Sequence, residues 1–197
     1  MAARNTDRRL HLMYPLTFNV DYPEGSRNRL TTLFRCILLI PIALVIGTLS
    51  PLIAPAIVLM LLFRAKYPRW WFDFNLEWIR FSARVGAYLF LLRDEYPSTD
   101  EEQAVHVAIA YPEPGSLNRF LPLIKWLLAL PHLIIIAILN VLALLVTGIG
   151  WLLIVITGSY PRGLSDFVVG VMRWTLRVEA YAVALMTDQY PPFRLGE

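Results

Sequence analysis

KYPRWWFDFNLEWIRFSARVGAY, Lys66 to Tyr88, and SYPRGLSDFVVGVMRWTLRVEAY, Ser159 to Tyr181, share a Tyr-Pro-Arg opening and the same charges at the same spacing. On a helix, Asp73, Glu77, Arg80 and Arg84 form one stripe, and the second stretch keeps it as Asp166, Arg173 and Arg177. The opposite face is aromatic and aliphatic: Phe74, Trp78, Phe81 and Val85 in the first stretch, Phe167, Val171, Trp174 and Val178 in the second. Each stretch therefore predicts an amphipathic helix.

The likeness extends outward from these helices. Tyr22-Pro23-Glu24 recurs as Tyr111-Pro112-Glu113, Asn28-Arg29 as Asn118-Arg119, Arg35 as Lys125, Pro41 as Pro131, and Asp94-Glu95-Tyr96-Pro97 as Asp188-Gln189-Tyr190-Pro191. Such a register predicts a tandem repeat. Its expected parts are a basic tail (1–13), a first unit (14–97), an acidic linker (98–103), a second unit (104–193) and a short C-terminal tail (194–197). Each unit opens with an alternating segment, LTFNVDYP or VHVAIAYP, that predicts a strand ended by a proline turn. Because a lone short strand is unstable, the two copies are expected to pair with each other outside the membrane.

Composition points to a bilayer. The chain is 57% hydrophobic and 17% charged, against roughly 45–50% and about 25% in soluble domains. Cys36 to Phe63 and Trp126 to Thr157 are charge-free runs, each longer than the roughly 20 apolar residues that cross a bilayer core. The expected fold is mainly α and integral to the membrane: a four-helix bundle with a small two-stranded extramembrane sheet.

Three topologies fit the sequence. In a four-crossing arrangement the long runs go out and the amphipathic helices return. Most Lys and Arg then gather on the side of the termini, leaving Arg64, Lys66, Arg69 and Arg162 opposite. That bias predicts cytoplasmic termini and an inner-membrane, multi-pass protein. In a second arrangement the amphipathic helices lie in the headgroup layer, their charges touching water and lipid phosphates. In a third, Pro51 and Pro55 turn the first run into a re-entrant hairpin.

Chemistry is sparse. Cys36 is the sole cysteine, which excludes an internal disulfide. His11, His106 and His132 lie apart, with no acid or second His at helical spacing, so no metal site is expected; no catalytic or cofactor motif is present either. His132, just after Pro131 at a helix start, reads as a polar end at the headgroup level. The basic residues form no tract suited to nucleic acid. Gly148-Ile149-Gly150 reads as close helix packing, and Asn140 as an interhelical hydrogen bond.

Leu130-Pro131-His132, the Gly158-Ser159-Tyr160-Pro161-Arg162 turn, Arg173-Trp174 with Arg177, and the closing Thr187-Asp188-Gln189-Tyr190-Pro191-Pro192-Phe193 resemble a bacterial membrane family known only as domain of unknown function 4389. The first unit departs from the pattern at Ile42 and Arg93. The resemblance implies an integral membrane protein and carries no activity with it.

The expected role is thus non-catalytic: an accessory, scaffold or lipid-interacting subunit, with membrane lipids, a larger membrane complex or further copies of the chain as partners. The alternative is a small oligomeric transporter or channel using Asp73, Glu77, Arg80, Arg84, Asp166, Arg173 and Arg177 as a polar seam or as lipid headgroup contacts.

Overall fold

A computed structural model describes residues 14–23, 25–64, 67–113 and 115–196. The expected tail, 1–13, lies outside the described residues. In chain order the elements are β1 (Leu16–Val20), α1 (Arg29–Arg64), α2 (Arg69–Leu89), β2 (Val105–Ile109), α3 (Pro122–Leu128), α4 (Leu130–Thr157) and α5 (Arg162–Ala182).

Local chemistry sets the element ends. Asn28 caps α1, its Oδ1 accepting from the amides of Leu30 (3.1 Å) and Thr31 (3.2 Å). Asn118 does the same ahead of α3, accepting from Phe120 and Leu121. Both amphipathic helices start just after an extended proline, Pro68 or Pro161, where the missing N–H costs nothing. Gly158, at φ 78°, closes α4 in a left-handed turn that a side chain would resist. Pro131 lacks the N–H that would bond to the Leu127 carbonyl, and the helix breaks there into α3 and α4. α1 runs unbroken past Pro41, Pro51 and Pro55, so the re-entrant hairpin does not form.

The strands pair antiparallel, Leu16 opposite Ile109 and Phe18 opposite Val107. Leu16, Phe18, Val105, Val107 and Ile109 point inward and are buried, while Thr17, Asn19, His106 and Ala108 face out. The inner face rests on α2 and α5. Contacts run in order along each pair of elements. Ser98, Val107 and Tyr111 meet Arg84, Arg80 and Phe72 of α2 in turn; Tyr14, Phe18 and Tyr22 meet Arg177, Arg173 and Tyr160 at α5. Each strand therefore lies back along one amphipathic helix.

Beneath them lie the long helices. Leu39 and Ile42 of α1 pack on Phe81, Val85 and Tyr88 of α2, and Arg35 donates to the Tyr88 carbonyl at 2.8 Å. On the other side His132 and Ile136 of α4 meet Trp174 and Val178 of α5. The start of α1 touches the end of α4: Trp151 donates to the Thr32 carbonyl at 3.1 Å and the Arg27 amide to that of Gly158 at 2.8 Å. The result is three layers: sheet, then α2 and α5, then α1 and α4.

Candidate functional site

The arginines of the α2 and α5 stripes face the strands and the chain's own loops, whereas Asp73, Glu77 and Asp166 are exposed. Arg80 donates through Nε to the Val107 carbonyl (3.0 Å) and pairs with Glu77 (2.5 Å); Arg84 donates to the Ser98 carbonyl (2.8 Å). Arg173 holds the carbonyls of Phe18 (3.1 Å) and Leu195 (3.0 Å). Arg177, buried, donates to the Gly196 carbonyl at 2.9 Å and lies over the Tyr14 ring. Asp73 is exposed and pairs with Arg69, also exposed. The two stripes do not converge. Arg80 and Arg84 line one cleft of about 360 Å³ with Glu102, Gln103 and His106, whereas Asp166 and Arg173 line another of about 200 Å³ with Asn19 and Asp21. Four guanidinium groups thus fasten backbone to the amphipathic helices through charge-assisted hydrogen bonds.

Two charge clamps escaped the sequence reading. Asp94 accepts from Arg35 (2.6 Å) and from the Asn28 amide (3.0 Å), with Tyr88 beneath the Arg35 guanidinium. Asp188 accepts from Lys125 (2.7 Å) and from the Asn118 amide (2.6 Å), with Tyr181 beneath the Lys125 ammonium. Lys125 is 1% exposed and also donates to the Thr187 carbonyl. Burial lowers its pKa, and Asp188 opposes that shift. All eight residues carry the periodic likeness of the two halves, but sequence spacing cannot say that they meet.

His132 also sits elsewhere than expected. It is fully buried, its Nδ1 accepts from the Trp174 indole (3.0 Å), and its ring stacks on Phe193 at 3.8 Å. With Nδ1 accepting, the proton of the neutral ring belongs on Nε2. Asn140 bonds within its own helix, to the Ile136 carbonyl (3.0 Å), and not across helices. Gly150 does permit close packing: a Cβ there would fall 2.4 Å from Tyr160.

The largest feature is an apolar face. In their most apolar stretches α1 and α4 have mean hydropathy 2.5 and 2.7, yet only 19% and 22% of those residues are buried. Leu33, Phe34, Ile37, Leu44 and Leu59 of α1 are exposed, as are Leu123 and Trp126 of α3 and Ile134, Val141 and Leu145 of α4. A soluble protein rarely exposes apolar patches beyond a few hundred Å². Several polar groups on these helices are satisfied within the helix itself. Thr48, Thr157 and Trp126 donate to carbonyls of their own helices, as groups facing hydrocarbon must. Exposed Arg29 and Arg64 stand at the two ends of α1, and Trp70, 64% exposed, follows the second.

Among the described residues, no three His, Cys, Asp or Glu side chains are placed to hold a metal. Fold and face together define a mainly helical protein with two helices long and apolar enough to cross a membrane. Residues 122–194, which are α3, α4, α5 and the Asp188 clamp, match the family described as Domain of unknown function (DUF4389). No curated protein and no solved structure matches the chain.

Proposed function

We propose that the chain is a membrane-embedded accessory protein that works by contact, holding lipid against its apolar face and a larger membrane assembly against its polar one. The observation that carries this reading is the exposed apolar surface of α1, α3 and α4, flanked by arginine and tryptophan. The seam residues Arg80, Arg84, Arg173 and Arg177 are engaged by carbonyls of the chain itself, which favours a framework role over a transport path. We further read residues 14–97 as a second, diverged copy of the matched unit. The paired asparagine caps, the paired charge clamps and the matching Arg80 and Arg173 bonds support that duplication.

Extraction in mild detergent, with measurement of particle mass and of the proteins that travel with the chain, tests the proposal. Membrane-bound chain in a heteromeric particle is the expected result. Chain recovered from the soluble fraction would sink the membrane reading, and a bare monomer in lipid would sink the partner.

A further inference from the structure

We infer that α1 and α4 lie in the plane of the membrane, sunk in one leaflet, and that none of the described helices crosses the bilayer. The inference rests on the membrane-embedded reading above and deepens it by fixing which surface meets lipid and how.

Contacts between segments on either side of each helix exclude the crossing patterns. If α1, α2, α4 and α5 all crossed, residues before α1 and residues between α4 and α5 would face opposite compartments. Yet the Arg27 amide bonds to the Gly158 carbonyl at 2.8 Å, and the Tyr22 hydroxyl bonds to the Tyr160 carbonyl. Tyr111, after α2, likewise donates to the carbonyl of Tyr67, before α2, at 2.5 Å. If only α1 and α4 crossed, β1 and β2 would lie on opposite sides. They are paired over their whole length. A crossing by α1 alone would separate β1 from β2, one by α4 alone would separate Arg27 from Gly158, one by α2 alone would separate Tyr67 from Tyr111, and one by α5 alone would separate Lys125 from Asp188.

The sheet's position gives an independent reason. β2 runs beside α2 from Arg84 to Phe72, and α2 runs beside α1, where Pro41, Ile42, Val45 and Leu49 face Phe74, Trp78 and Phe81. The strands therefore stand abreast of the most apolar part of α1. Were α1 upright, both free strand edges, with outward Thr17, Asn19 and His106, would lie at mid-bilayer depth. Open sheet edges are not tolerated there, because nothing in hydrocarbon satisfies their backbone groups. Laid flat, the same molecule puts its sheet in water, α2 and α5 with Arg69, Asp73, Glu77 and Arg162 at the headgroups, and the apolar face of α1 and α4 in the acyl chains. A helix layer about 10 Å thick fits within one leaflet of a hydrocarbon core about 30 Å across.

The test places single cysteines in the full chain with Cys36→Ser, at exposed Glu101 between β2 and α2 and at exposed Ser159 between α4 and α5. A membrane-impermeant maleimide is then applied to spheroplasts and to inverted vesicles. Both Glu101→Cys and Ser159→Cys should react in the same preparation and stay silent in the other. Reaction in opposite preparations overturns the in-plane arrangement while leaving the protein a membrane protein. Chain that floats free of membranes in both preparations overturns the underlying reading instead. Spin labels at Leu44→Cys and Leu59→Cys, both exposed on α1, give a second readout. Oxygen and nickel-chelate accessibilities should report equal depth, whereas an upright α1 would separate the two by about 22 Å along its axis.

Discussion

Lys125 is the most exacting single residue. A buried ammonium is tolerated because Asp188 and the Thr187 carbonyl surround it. Asp188→Ala leaves that charge unpaired and should lower stability by about 3 kcal/mol, read as the denaturant midpoint in detergent. Adding Lys125→Met should restore much of the loss; a double variant no better than Asp188→Ala would refute the clamp. Glu179 supplies a pH effect. Burial pushes its pKa up to about 7 from 4.5, so between those values the folded chain holds a proton that the unfolded chain has released. Stability should therefore fall as pH rises across that window. Glu179→Gln should flatten the slope and gain at most about 3 kcal/mol at pH 8, and an unchanged slope would disprove the assignment.

At the scale of elements, periodicity made much of the fold legible. Two apolar runs, two amphipathic helices and two alternating strands are each marked by their own spacing, and each appears in the structure. What covers each face was not legible. The stripe of Arg80 and Arg84 could be placed on one side of a helix, but only the return of a distant strand shows that carbonyls meet it. His132 misled for the same reason: Trp174 and Phe193, which enclose it, come from far along the chain. Gly148-Ile149-Gly150 reads in sequence as packing against another helix; only Gly150 is closely approached, by Tyr160 of the turn before α5, and Gly148 faces open space. Gly150→Ala should destabilise by about 1–3 kcal/mol because its Cβ would strike Tyr160. Gly148→Ala meets nothing within 4 Å and should be neutral or gain up to about 1 kcal/mol. Equal unfolding midpoints for the two variants would contradict this packing.

For the whole molecule, the sheet interlocks the halves. β1 belongs to the first half yet lies on α5, and β2 belongs to the second yet lies on α2. Neither half can complete its own core. A piece spanning residues 104–197 should therefore pair β2 with β2 of another copy and purify as a homodimer in detergent; a monomeric mass would refute the exchange. The layered build has one more consequence. If α1 and α4 lie in one leaflet as proposed, the apolar face adds area to that leaflet alone, and the opposite leaflet has nothing with which to match it. The mismatch is relieved when the bilayer bends, convex on the occupied side. Many copies gathered together would then act as a wedge, and highly curved vesicles should recruit the chain more strongly than flat ones.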